Sequence, residues 1–238
     1  MPEQRFRKYL SAHSGFSLIE LAIAIFVITL LLGGLLVPLS TQVDQRKISE
    51  TQKALDEIRE ALLGFALANG YLPCPDTDND GQENVSGGGA CVNQEGNLPW
   101  ATLGVTGYDS WGNRFRYRVH LSFSQRAPAT LFTLSTTSNL RVCADQGCAI
   151  SLTTITDGPP AVILSHGKNG FGAINSITNA ANPAPTSADE LANTDGNTQF
   201  VSRSTTAVGS TAGEFDDIVV WLSREVLLNR MVAAGKLP

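Results

Sequence analysis

An α+β fold is predicted: a long N-terminal α-helix, transmembrane in its first half, packed on a small antiparallel β-sheet domain with long loops. Three observations predict it. Leu21–Leu39 is apolar apart from Thr29 and two glycines, and residues 21–43 carry no charge. Ile48, Leu55, Ile58, Leu62 and Phe65 then recur at helical spacing. Beyond residue 70 the chain changes to short segments of period two separated by Gly, Asn, Pro and Thr.

The first helix starts as a membrane element. Nineteen residues at 1.5 Å each span about 28 Å, close to the thickness of bilayer hydrocarbon. A globular helix would carry a polar stripe, and this run has none. A secretory signal has a shorter apolar core and a small-x-small cleavage site, which does not follow here. Arg5, Arg7 and Lys8 precede the run, so the N-terminus is expected to stay in the cytoplasm and the chain after about residue 42 to be exported.

Glu20 stands at the edge of this run, where a carboxylate is costly without a partner. A cut between Gly15 and Phe16 would supply one. Phe16 would become a new N-terminus, and its amine on a neighbouring subunit could neutralise Glu20 and set axial register. "SGFSLIELAIAIFVITLLLGGLL" resembles the N-terminus of type IV pilins and type II secretion pseudopilins. The resemblance implies a leader, residues 1–15, removed by a prepilin peptidase. It implies N-methylation of Phe16, a role for Glu20 in assembly, and a helical segment 16–70 spanning the membrane at about 18–40. Residues 71–238 would be the exported globular domain. The protein would sit in the inner membrane as a single-pass subunit with a periplasmic domain, then enter a filament. Its partners would be other pilin or pseudopilin subunits, the peptidase/methylase and an assembly platform.

Residues 44–69 continue the helix, with Asp56, Glu57, Arg59 and Glu60 on its solvated side. Pro38 is expected to kink it rather than end it, and Asn69-Gly70 followed by Pro73 to stop it. All four cysteines, Cys74, Cys91, Cys143 and Cys148, lie on the exported side. An even number in an oxidising compartment suggests two disulfides. Three pairings exist, and Cys74–Cys91 with Cys143–Cys148 closes local loops.

Within 71–91, Asp76, Asp78 and Asp80 alternate before Gly81, the first half of a calcium loop. Gly87 stands where such a loop has its bidentate Glu, so Glu83 or a remote acid would have to substitute. A solvated acidic loop is the competing reading. Phe115, Tyr117, Val119 and Leu121 alternate with Arg114, Arg116, Arg118 and His120, which reads as a half-buried strand. Its arginine row could meet phosphate or an acidic partner; a solvated face is the plainer reading. "TLFTLSTT" and "AISLTTIT" read as strands, 161–170 as a buried strand with a Gly turn, 175–213 as a long loop, and 214–232 as a strand and a helical tail.

"DSWGNRFRY" resembles the D-P-W-G-x-x-Y-x-Y stretch of the major pseudopilins of type II secretion, with Ser110 in place of Pro. "SHGKNGFGA" with "EFDDIVVWLS" resembles their C-terminus, where a Gly-rich loop and an acidic segment hold calcium. That resemblance implies an ion near Asp216 and Asp217, although the insertion between the two pieces is longer here.

Net charge is −5, and three bases but one acid lie in the leader, so the exported body is acidic. This argues against general nucleic-acid binding. No G-x-S-x-G, P-loop, H-E-x-x-H or Cys/His metal spacing occurs, and the predicted role is structural, with no catalytic residues. The alternatives are a minor pilin for adhesion or DNA uptake, or an anchored exported binding domain that is not assembled.

Overall fold

A computed structural model of the protein describes residues 15–126 and 131–238, and of residues 32–39 the backbone alone. The leader, except Gly15, therefore lies outside the described residues. So do the side chains of 32–39, which fall inside the expected span 18–40 and include Pro38. The chain divides into two compact units, Met1–Arg46 and Lys47–Pro238.

Helix α1 (Leu18–Asn69) contributes to both units and continues through Pro38. In the first unit, Leu18, Ile19, Leu21, Ile23, Ile25, Phe26, Leu30 and Leu31 are all exposed. Among the described residues no helix is long and apolar enough to cross a membrane.

In the second unit α1 buries Leu55, Ile58, Leu62, Leu63 and Ala66. Ile48 and Phe65, expected in the stripe, are only half-buried. Thr51 is fully buried instead, and its hydroxyl accepts the Ser110 N–H at 3.3 Å. Gly70, with φ +84°, ends the helix by donating to the Ala66 carbonyl.

Four strands form the main sheet: β1 (Glu95–Asn97), β2 (Arg116–Val119), β4 (Ala161–Ser165) and β6 (Ile218–Leu222), in the order β1-β2-β4-β6 and all antiparallel. The alternation read in the sequence sets the faces. Tyr117, Val119, Ala161, Ile163, Val220 and Leu222 meet α1. Val162, Leu164 and Val219 meet a second layer. Central β4 is buried along its whole length, as expected of its apolar run. Short helices α2 (Trp100–Leu103) and α3 (Leu121–Ser124) flank β2, and α5 (Arg224–Ala233) closes the chain. Leu121, expected in the strand, begins α3, whose N-cap is the His120 imidazole accepting from Ser122 N.

The second layer differs from expectation. It is a parallel pair of β3 (Arg141–Cys143) and β5 (Gln199–Val201), with helix α4 (Ala188–Ala192) beside it. Both α4 and β5 come from the stretch read as a loop, 175–213. The stretches read as strands at 130–137 and 149–156 form none among their described residues. Their hydroxyls bond locally instead: Thr133 N donates to Thr136 Oγ1, and Ser151 Oγ to the Thr153 carbonyl.

Disulfides join Cys74 to Cys91 and Cys143 to Cys148.

Candidate cation site

Among the described residues, two acidic clusters each bring three carboxylates within 4.8 Å of one another: Asp76, Asp78 and Asp80, and Glu190, Asp216 and Asp217.

The first cluster is a turn that satisfies itself. Asp76 is fully buried. Its Oδ1 accepts from the backbone N–H groups of Asp78 at 3.1 Å and Asn79 at 2.8 Å, and its Oδ2 from Gly81 at 2.8 Å. Burial raises its pKa against these bonds. Asp80 accepts from Gln82 N, and Asp78 from Asn84 Nδ2. Gly81 sits at φ +84° with a Cβ position 2.3 Å from the Trp100 ring, so the indole can lie on the turn only because this residue is glycine. Glu83, the candidate substitute ligand, is paired with Arg126 and accepts the Cys74 N–H.

The second cluster is assembled from three parts of the chain. Strand β4 delivers Ser165 and His166 to a glycine turn. Gly167 (φ +58°) would place a Cβ 2.3 Å from the Asp216 carbonyl, so only glycine lets this turn approach the start of β6. Asn169 N donates to Asp216 Oδ2 at 2.8 Å, and Asn169 Nδ2 to Glu190 Oε1 at 3.0 Å. Asp216 N donates to the same Glu190 oxygen at 3.1 Å. Asn193 Nδ2 holds Asp217 Oδ2 at 2.7 Å.

One oxygen of each carboxylate is thus fixed. The other, Glu190 Oε2, Asp216 Oδ1 or Asp217 Oδ1, is buried without a hydrogen-bond partner. Glu190 is 1% and Asp217 4% exposed. Buried polar atoms are normally bonded, so three orphaned oxygens in one cluster call for a ligand. Burial first, then the charges of Asp217, Glu190 and Glu214, push the pKa of Asp216 up to about 7. Burial, with Asp217 and Glu214 behind it, also raises that of Glu190. The imidazole of His166, 1% exposed, lies 3.5 Å from Asp217 Oδ1, with neither ring nitrogen hydrogen-bonded. An all-carboxylate set suits a hard divalent cation such as calcium, which takes six to eight oxygens.

Beneath the site, Asp109 anchors the Trp111-Gly112 turn. It accepts from Trp111 N and Asn113 N, and from Ser165 Oγ at 2.6 Å. Ser165 therefore serves Asp109 rather than His166.

The arginine row faces inward. Arg116 and Arg118 clasp Glu95 and donate to the carbonyls of Thr194 and Gly196. Arg114 donates to Asn179 Oδ1 and the Asn79 carbonyl. These guanidinium groups fasten loops to the sheet.

Asp216 and Asp217 were legible as candidates, and Glu190 was not. Its signal is Ser187-x-x-Glu190, a capping-box spacing inside a stretch otherwise read as loop. Ser187 is the N-cap of α4 but makes no side-chain cap bond, and Glu190 reaches the acidic cluster instead. In the first unit, Gly15, Phe16 and Glu20 are exposed.

Residues 10–36 match the family model described as the prokaryotic N-terminal methylation motif. The match supports a prepilin-type signal of the kind carried by type IV pilin-like and pseudopilin subunits. It is the signal of structural, membrane-anchored proteins that a prepilin peptidase processes and that assemble with other pilin subunits. No curated protein and no solved structure matches the chain.

Proposed function

We propose that this protein is a structural subunit of a type IV filament system, most closely a pseudopilin of type II secretion. The observation that carries the reading is the methylation-motif match over 10–36, with Gly15, Phe16 and Glu20 at the cleavage, methylation and fifth mature positions. The subunit is held in the inner membrane by about residues 18–40, with its C-terminal domain in the periplasm. Removal of residues 1–15 leaves an amine at Phe16 that is methylated. Glu20 of one subunit meets that amine on the next, and the apolar helices bundle in the filament. The exposed apolar side chains of residues 18–31 support this, because such a surface needs lipid or neighbouring helices.

The exported domain binds calcium at Glu190, Asp216 and Asp217. When bound, the ion supplies the positive charge that lets the three acids stay ionised together. Asn169 and Asn193 orient the ligands, and Gly167 admits the turn that carries Asn169.

A second reading, a minor pilin, draws on the α4–β5 insertion, which gives the domain its own outer layer. DNA uptake is disfavoured, because the arginines of β2 are engaged within the fold.

The test is the intact mass of the protein from its native membranes. Loss of residues 1–15, one added methyl and four missing thiol hydrogens are expected. A chain still carrying residues 1–15 would overturn the filament reading in favour of an anchored domain that is not assembled.

A further inference from the structure

Helix α4 touches the acidic site twice. Glu190 is one of the three clustered acids. Asn193, at the C-cap of the same helix, binds two partners at once. Its Nδ2 donates to Asp217 Oδ2 at 2.7 Å and to the Val201 carbonyl at 3.0 Å, and its Oδ1 accepts the Val201 N–H at 2.7 Å. The amide therefore pairs with Val201 as a neighbouring strand would, and fixes a ligand carboxylate in the same act.

The layer attached in this way is small. Strand β5 pairs with β3 over three residues. Two strands of that length are not stable alone and depend on packing. Phe200 packs with Leu140, Val142, Val162, Leu164 and Val219, while Val201 packs with Ala192 and Phe215. At the polar end of this layer two buried carboxylates and one half-buried one face one another, and uncompensated charge there opposes closure. The core between α1 and the sheet has no part in that conflict, because none of these carboxylates belongs to it.

We propose that a divalent cation at Glu190, Asp216 and Asp217 is the latch that docks α4 and β5 on the sheet. Without it, residues 188–201 open as a local unit while α1 and strands β2 and β4 stay folded. The inference rests on the calcium reading above and adds a consequence: the outer surface contributed by the insertion exists only where calcium is present. Asn193 is a positioning residue that carries the ion's effect from Asp217 to β5.

Hydrogen–deuterium exchange on the full chain in detergent tests it, with about 1 mM calcium or with a chelator. Calcium is expected to slow exchange across 188–201 at least tenfold and to leave β4 within twofold. Glu190→Gln should abolish that difference. Asn193→Ala should bind calcium more weakly, and with the site brought to saturation by calorimetry Val201 should lose its calcium-dependent protection. Calcium-dependent protection of Val201 that survives in Asn193→Ala would overturn the coupling. Binding heat with unchanged exchange at 188–201, or protection spread equally over β4, would overturn the latch and leave the cation site standing. No binding heat at millimolar calcium would overturn both. The wild-type comparison decides the question even if a variant fails to fold.

Discussion

The two acidic clusters hold the same number of carboxylates within the same distance, yet their oxygens are differently placed. In the 76–80 turn the acids are neighbours in sequence, two are exposed, and Asp76 gives both oxygens to its own backbone. In the second cluster the acids come from α4 and the residues just before β6, and each keeps a buried oxygen without a hydrogen-bond partner. A tidy D-x-D-x-D-G spacing thus shapes a turn, while an untidy set separated by more than twenty residues leaves coordination capacity open. What distinguishes the proposed cation site is unused oxygen in a dry place, not the regularity of the acids along the chain.

Substitutions can break this contrast, and the largest effect is expected in the first cluster. Asp76→Ala leaves three backbone N–H groups without their acceptor, and should cost about 3 kcal/mol of unfolding free energy whether or not calcium is present. A calcium-dependent loss in denaturant titrations would mean that this turn also holds an ion.

Next comes Asp217→Asn. An ion at a hundred times its Kd stabilises by about 2.7 kcal/mol, roughly 5–10 °C in Tm for a domain of this size. The wild-type protein should show that gain on adding calcium, and Asp217→Asn should not. An equal gain in both would remove Asp217 from the site.

The pH response follows from Asp216, whose pKa rises from the ordinary 3.8 to about 7 through burial and its acidic neighbours. With the ion chelated, the folded chain keeps a proton between those values that the unfolded chain releases. Stability therefore falls as pH rises through that window. Asp76, Asp109 and Glu190, also raised, act in the same direction. Tm in chelator should be higher at pH 5 than at pH 8, and saturating calcium should narrow the gap by stabilising the pH 8 state. A gap that Asp216→Asn leaves intact would assign the effect to the other acids.

The smallest effect belongs to the exposed pair. Asp78→Asn with Asp80→Asn should change stability by less than about 0.5 kcal/mol and leave calcium binding untouched. Loss of binding heat in this double variant would reverse the ranking of the two clusters.

Much of the fold was legible because its signals are local. The period of Leu55, Ile58 and Leu62 predicted a buried helix face, and the alternation of Phe115, Tyr117 and Val119 predicted one side of β2. Loop closure favoured the disulfides that occur. The second layer was not legible, because β3 and β5 are three residues each and pair across more than fifty positions. Neither carries a pattern long enough to read. The threonine-rich runs misled in the opposite direction: they have strand composition, but their hydroxyls close turns. Glu190 was missed for the same reason as β5, since its meaning depends on a fold partner far along the chain.

The arginines that fasten Thr194 and Gly196, and the Asn193 amide that grips Val201, all act before residue 202. After that point the chain makes one more excursion, closed where Thr206 pairs with Phe215. At its tip Val208 is 79% exposed, and Gly209 has open space around it. The polypeptide is therefore anchored on both sides of an exposed tip at Val208 and Gly209. Here a reporter, such as a short epitope or a single residue for a fluorophore, can be grafted with the sheet, the acidic site and α1 left as they are, so that the subunit can be followed into whatever structure it joins.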